Sequence, residues 1–217
     1  MALNFSETKK AKTTYPRIGE GTYPARIVRI LDFGMQFATD FKTGEVKKYD
    51  DGNDVVQHKV WIDFELPTET IEIEGVAKPR WIGKEYTVSA HEKAAIQGLL
   101  KAADPGGKAT MKGRNVAGLL GLPLMITIGS TSTGKDKITA TTSLIKGMNV
   151  DPLANPTLFF DLDSPDIKTF EGLPDWMKKR IQEGVDFDKT AFYKKFNSFE
   201  DLEDPPYSRD NEVESPY

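Results

Sequence analysis

The chain has 217 residues, of which 38% are hydrophobic and 29% charged, as is typical of a globular protein long enough for one sizeable core. The absence of cysteine excludes disulfides, thiolate metal ligands and a cysteine nucleophile, and no apolar run reaches the roughly 18–20 residues that cross a bilayer. The net charge of −4 is unevenly distributed, because residues 1–150 carry +4 and residues 151–217 carry −8, a pattern that hints at a nucleic-acid-facing domain with an acidic end.

The first 20 residues are predicted to form a flexible arm, with a basic patch at residues 9–12 and no apolar signal-peptide core. The absence of cysteine leads us to expect an intracellular protein. A β-branched and aromatic run between two glycines predicts a first strand over residues 21–34. A long polar loop follows as far as residue 57, and it contains Phe37, Lys47, Lys48 and Tyr49.

The most regular alternation in the chain, HKVWIDFELP at residues 58–67, predicts a second strand that ends at its proline. Four apolar residues beginning at Val60 fall on one face, whereas Trp61 falls on the opposite face between Lys59 and Asp63. A tryptophan on a polar face needs a partner. Two interpretations stay open, since the C-terminal part of the chain could cover Trp61 or a nucleic-acid base could stack on it.

A third strand is predicted over residues 80–89, with Gly83 as a β-bulge. The next segment, residues 91–104, has apolar residues at helical spacing, with Ser89 as its N-cap. A Pro-Gly-Gly sequence at 105–107 ends this predicted helix.

Two further strands, predicted over residues 123–130 and 137–147, complete an order of three strands, one helix and two strands. That order matches the OB-fold, a mainly β, five-stranded Greek-key barrel whose helix lies between strands 3 and 4. A β-sandwich with an inserted helix would give the same order. We expect the OB-fold-like barrel, occupying residues 21–150.

Residues 151–197 are rich in prolines and aromatic residues, and they predict an extension packed as a strap on the barrel, with a short helix over 175–184. Residues 198–217 carry seven carboxylates against Arg209, which gives a net charge of −6, and they show no apolar periodicity. Such a segment cannot bury enough apolar surface to offset the entropy of ordering, so we predict a disordered acidic tail.

Three patterns resemble catalytic or metal-binding motifs, and each fails. Residues 129–136 fit a phosphate-binding loop, but Asp136 replaces the Ser or Thr that would hold Mg²⁺, and a β-branched run follows in place of a helix. Ser89 and His91 lack the elbow glycines of a hydrolase, and residues 50–54 lack calcium-loop spacing. We expect no catalytic residue, metal or cofactor, and hence no enzyme.

Aromatic and basic side chains indicate nucleic acid instead. In an OB barrel, strands 2 and 3 form the oligonucleotide cleft with the loops between strands 1 and 2 and between strands 4 and 5. Stacking on an aromatic ring contributes about 1–3 kcal/mol per base, and each neutralised phosphate adds a salt-dependent term. The predicted DNA-binding residues are Arg26, Arg29, Phe37, Lys47, Lys48, Tyr49, Lys59, Trp61, Arg80, Trp81, Lys84, Tyr86, Lys135 and Lys137.

Several stretches resemble a group of bacteriophage single-stranded DNA-binding proteins. They are GTYPARIVRILDFG, FELP at 64–67, YTVS with the Lys-bearing helix after it, LLGLP at 119–123 and LPDWMKKRI, and the resemblance covers about residues 19–185. Such proteins typically pair an OB-fold with a disordered acidic tail that ends in an aromatic residue, recruits replication and repair partners, and competes with DNA for the basic groove. This chain ends in Tyr217, where such tails usually carry phenylalanine.

The resemblance implies sequence-independent binding and protection of single-stranded DNA in phage replication or recombination, in the cytoplasm of the infected bacterial host. It also implies that the acidic tail binds replication or recombination proteins. Within the tail, we predict that Glu212, Glu214 and Tyr217 bind these partners. The alternative is a protein-interaction module, such as a replication accessory or a host-defence antagonist, that uses the same barrel to bind a protein. No membrane partner is expected, and assembly into a homo-oligomer is left open.

Overall fold

The computed structural model describes residues 16–40, 42–113, 115–164 and 166–203, with side chains described as far as residue 198. The chain is mainly β, and six strands and four α-helices lie in the described residues. The strands are β1 (Gly21–Phe37), β2 (Val56–Ile73), β3 (Val76–Thr87), β4 (Pro123–Ser130), β5 (Asp136–Thr142) and β6 (Leu158–Phe160). The helices are α1 (Ala95–Ala103), α2 (Ile167–Glu171), α3 (Asp175–Gln182) and α4 (Ala191–Glu203).

β1 lies at the centre of the sheet, because it pairs with three other strands. Its first part, Gly21 to Arg26, is antiparallel to β4, and the rest of the strand as far as Phe37 is antiparallel to β2. The short β6 pairs with β1 in parallel, and the sequence did not predict this sixth strand. The resulting strand order is β3-β2-β1-β4-β5, so β3 and β5 are the two edges.

The two edges approach each other, but in the described residues no backbone ladder joins them, so the sheet is open. Side chains and the N-terminal segment bridge the gap instead. Lys84 Nζ on β3 donates to the Ile138 carbonyl on β5 at 3.3 Å. Arg80 on β3 donates to the Pro16 carbonyl.

Asp136 anchors the N-terminal segment at the start of β5. Its Oδ1 accepts a hydrogen bond from the Arg17 guanidinium at 2.9 Å, and its Oδ2 accepts one from the Ile18 backbone N–H at 2.7 Å. Residues 16–19 are therefore held against the sheet, although the predicted flexible arm included them; residues 1–15 lie outside the described residues. Asp136, which departs from the phosphate-loop consensus, therefore has a structural role.

The first hydrophobic core lies on one face of the sheet, where α1 contacts β3, β4 and β5. It contains the four apolar residues that alternate along β2, among them Ile62 and Phe64, together with Ile96 and Leu99 of α1. The predicted alternation and the helix between the third and fourth strands are therefore confirmed. The helix begins at Ala95 without a side-chain cap, so the prediction of Ser89 as N-cap is wrong.

The second hydrophobic core lies between the C-terminal extension and the opposite face of β1. Leu31 and Phe33 project from β1 into a cluster of aromatic and aliphatic side chains from β6, α2, α3 and α4. The residues from these four elements are Phe160, Phe170, Met177, Ile181 and Phe192. The extension packs against the sheet through this core.

Several predicted boundaries are wrong: β1 continues to Phe37, β3 begins at Val76 and β5 ends at Thr142. Two further differences affect the fold more. β2 does not end at Pro67 but continues to Ile73, because a register shift between Leu66 and Thr70 takes the proline out of the β2–β3 ladder. The hairpin is therefore much longer than predicted. At the other end, α4 continues to Glu203, so the predicted disordered tail overlaps this helix in its first residues; residues 204–217 lie outside the described residues.

Candidate nucleic-acid interface

The face of β2 opposite the first core, which we call the outer face, carries Trp61. Its indole packs edge-on against Trp176 of α3, with the ring centroids 5.0 Å apart, and stacks on Phe33 of β1 at 6.2 Å. Its Nε1 donates to Asp63 Oδ1 at 2.8 Å. Of the two interpretations left open by the sequence, the structure therefore favours cover by the C-terminal extension.

The charged neighbours of Trp61 are also engaged within the protein. Lys59 Nζ donates to Thr87 Oγ1 at 2.6 Å, and burial lowers the Lys59 pKa against the opposing effect of Glu85. On α3, Arg180 pairs with Glu85 Oε2 at 3.3 Å. The C-terminal extension thus occupies the centre of the outer face, where the sequence placed the DNA cleft.

Two predicted DNA-binding residues interact within the protein itself and are not available to DNA. Tyr86 is 2% exposed and belongs to the first core, where burial raises its pKa. The Arg26 guanidinium donates to three backbone carbonyls, those of Gly121 at 2.8 Å and of Val150 and Asp151 at 2.7 Å. We therefore remove Tyr86 and Arg26 from the candidate DNA-binding set.

Trp81 opens onto a groove in the half of the β2–β3 hairpin that is nearer its turn. Its side chain is 37% exposed, and the Arg29 guanidinium carbon lies 5.5 Å from its ring centroid. Arg29 is held in turn by Asp63 Oδ2 at 2.6 Å. The groove has a volume of about 370 Å³, and its lining residues are Ile71, Ile73, Lys78, Pro79, Arg80, Trp81 and Asn155. The structure thus brings together three predicted residues, Arg29, Arg80 and Trp81.

A buried carboxylate positions Trp81. Glu65 on β2 is 0% exposed, and its Oε2 accepts a hydrogen bond from Trp81 Nε1 at 3.2 Å and another from Asn155 Nδ2 at 2.7 Å. Its Oε1 accepts from the Ala154 backbone N–H at 2.7 Å. Three hydrogen-bond donors therefore offset the cost of burying this carboxylate. The same hydrogen bonds fix the position of the Trp81 indole relative to the C-terminal extension.

Two cations lie at the same groove. Arg80 uses one guanidinium nitrogen for the Pro16 carbonyl, and its other nitrogens have no hydrogen-bond partner among the described residues. The exposed Lys78 ammonium likewise has no partner within the described part of the chain. Both groups are available to an anionic ligand such as a phosphate.

The seam between β3 and β5 lies further along β3 from the groove. Gly83 lies two residues from Trp81 on the same face of β3, and with Lys84 and Lys137 it lines an open depression of about 510 Å³. Lys84 Nζ lies 5.3 Å from the Tyr86 ring centroid, and burial lowers the Lys84 pKa. Lys135 is exposed on the adjoining turn. Lys137 and Lys135 are therefore the more accessible cations of this seam.

The remaining predicted residues, Phe37, Lys47, Lys48 and Tyr49, lie on or beside the loop between β1 and β2. Tyr49 is 57% exposed, and Lys48 pairs with Asp54 at 3.3 Å. Phe37 pairs with Val56, nine residues along β2 from the Glu65 partner of Trp81, which corresponds to about 30 Å. This loop cluster and the groove are therefore separate surfaces.

Sequence reasoning missed Lys78 and Asn155 as groove residues. The pair Glu74 and Gly75, both with positive φ, forms the turn of the long hairpin, and this Glu-Gly signal could have placed Lys78 on β3. No local signal identifies Asn155, because it reaches the groove from a segment 90 residues away from Glu65.

Across the part of the chain that the structure describes, no cluster of three potential metal-ligating side chains occurs, and no helix combines the length and apolar character of a membrane span. The predicted tail residues Glu212, Glu214 and Tyr217 lie outside that part. The chain matches no protein-family model, no curated protein and no solved structure.

Proposed function

We propose that the protein binds single-stranded DNA without strong sequence preference and protects it during phage replication or recombination. The observation that carries the proposal is Trp81, a half-exposed indole fixed by Glu65 and Arg29 in a groove that also presents Lys78 and Arg80. A fixed aromatic face beside Lys78 and the remaining guanidinium nitrogens of Arg80, which have no partner among the described residues, suits a base and its phosphates.

The strand order supports an OB-fold-like barrel as the scaffold. β1 pairs with both β2 and β4, β3 and β5 form the two edges, and α1 lies between β3 and β4 in the chain. In the OB-fold that connectivity closes into a five-stranded barrel. Here we propose that the bridge across the β3–β5 seam substitutes for a full ladder.

The DNA cannot bind at the centre of strands 2 and 3, where the sequence predicted binding, because the C-terminal extension covers that surface. We propose that a single strand passes through the Trp81 groove and along the β3–β5 seam, where Lys135 and Lys137 contact phosphates. The resemblance to phage proteins supports an assignment to the host cytoplasm and recruitment of replication proteins by the acidic tail.

Fluorescence anisotropy with a labelled single strand of about 15 nucleotides tests the proposal. We expect salt-sensitive binding with a log–log slope near −0.7 per phosphate contact, and poor competition by duplex DNA. Trp81→Ala should weaken binding by about 1–3 kcal/mol. The matched control is Trp176→Ala, which removes an exposed indole outside the groove and should leave affinity unchanged.

A protein-interaction module is the second candidate, because Ile71, Ile73 and Pro79 make part of the groove apolar. Such a wall would also accept an apolar side chain of a protein partner. Absence of single-strand binding at low salt would leave this candidate as the better explanation of the groove.

A further inference from the structure

The Trp81 indole and the Asn155 side-chain amide donate hydrogen bonds to the same carboxylate oxygen of Glu65. Glu65 Oε2 accepts both Trp81 Nε1 and Asn155 Nδ2, so the indole and the Asn155 amide lie side by side at the groove. Glu65 is fully buried, and its second oxygen is bound to the backbone next to Asn155. Both Glu65 oxygens therefore hold the Asn155 segment, one through its backbone and one through its side chain, and this fixes the amide relative to the indole.

The orientation of the Asn155 amide follows from its partner. A carboxylate only accepts hydrogen bonds, so the amide must direct its NH₂ group to Glu65 and its carbonyl oxygen elsewhere. Among the described residues, Asn155 Oδ1 has no hydrogen-bond donor. The groove therefore contains an aromatic surface with an unused acceptor beside it.

We propose that Asn155 reads the edge of the base that stacks on Trp81 and favours bases with an exocyclic amino group over thymine. Cytosine offers its N4 amino group as a donor, and adenine its N6 amino group. Thymine has carbonyl oxygens on both sides of its single N3–H, and these oxygens repel the amide oxygen. The inference rests on the proposed function and adds a base preference to it.

The preference should be modest. One net hydrogen bond corresponds to about a three- to tenfold difference in affinity, whereas stacking contributes to every base alike. A preference of this size is compatible with binding of any single strand.

Three single-stranded probes of about 15 nucleotides distinguish the effects of the individual groups on the base. They are oligodeoxycytidine, oligodeoxyuridine and oligothymidine. Cytosine and uracil differ at position 4 of the ring and in the protonation of N3, whereas uracil and thymine differ by the methyl group. We expect the full-length protein to bind oligodeoxycytidine about three- to tenfold more tightly than the other two, with similar affinity for uracil and thymine.

Variants at Asn155 test whether the amide is responsible. Asn155→Ala should bring the ratio of affinities close to one, mainly by weakening oligodeoxycytidine binding, whereas a purely structural loss would weaken all three probes alike. Asn155→Lys keeps a donor to Glu65 and replaces the acceptor with a donor, so it should shift the ratio toward uracil and thymine. The matched control is Asn149→Ala, an exposed asparagine outside the groove lining, which should keep the wild-type ratio.

Equal affinity of the wild-type protein for the three probes, or a ratio unchanged in both Asn155 variants, overturns the inference and leaves single-strand binding intact. Failure of the wild-type protein to bind any of the three overturns the proposed function and the inference with it.

Discussion

The indole of Trp61 on β2 lies across Gly83 on β3, in the space that a Cβ atom at Gly83 would occupy. The β2–β3 ladder shows no register shift at Gly83, so the glycine is not the bulge that the sequence predicted. Its role is to admit the indole, which then contacts Trp176 of α3. This contact is one of the points at which the extension attaches to the sheet.

Gly83→Ala should lower the free energy of unfolding by about 1–3 kcal/mol, because the added methyl group must displace both the Asp63 carboxylate and the Trp61 indole from packed positions. Denaturant unfolding followed by tryptophan fluorescence measures the change. Gly98→Ala is the control, since Gly98 lies in α1 with open space around it and should stabilise the helix by about 0.5–1 kcal/mol. Equal effects of the two substitutions would contradict the packing argument.

Trp61→Ala should reduce stability and leave DNA affinity nearly unchanged, because Trp61 packs against Phe33 and Trp176 instead of facing the groove. For a half-buried tryptophan we expect a loss of about 2–3 kcal/mol of unfolding free energy. Unfolding curves and single-strand titrations, made at a temperature where the variant is folded, measure the two effects. Loss of DNA affinity without loss of stability would show that Trp61 contacts DNA.

The stability of the protein should depend on the protonation of His58. A hydrogen bond from His58 Nε2 to Asp32 Oδ1 at 2.6 Å raises the His58 pKa; burial opposes this, whereas the charges of Asp32, Asp163 and Asp161 add to it. Because the folded-state pKa lies above the unfolded value, the stabilisation is complete below about pH 6.5 and is lost as the pH rises through the folded-state pKa.

Unfolding free energies measured between about pH 6 and pH 9 should therefore fall with rising pH in the wild-type protein. His58→Gln keeps a donor to Asp32 without a titrating group, so its profile should be flatter over this range. An identical pH dependence in the two proteins would mean that another group is responsible.

Removal of residues 204–217 should raise DNA affinity at low salt. This segment contains four carboxylates and Arg209, and as a tethered polyanion it would compete with DNA for the cations of the groove and seam. The gain should shrink as salt screens both interactions, and unfolding should be unchanged because α4 is retained. Weaker DNA binding by the shortened protein would show that the tail contributes to the interface.

The local periodicity of the sequence was sufficient to predict much of the fold. The period-two pattern from Val60 to Leu66 identified the core face of β2, and helical spacing identified α1, because both patterns depend on neighbours within a few residues. The end of β2 was misplaced at Pro67, because a proline ends a strand only where its missing N–H is needed by the ladder, and that depends on the partner strand.

The tertiary structure decided which aromatic residues are accessible. Trp61 and Trp81 both lie on the outer face and both looked like stacking surfaces, yet α3 covers the first and leaves the second at the groove. Likewise, Arg26 satisfies carbonyls around residue 150 and Asn155 reaches Glu65 across 90 residues of sequence. Such contacts depend on how distant segments pack, so no periodicity, spacing or local motif in one sequence could assign them.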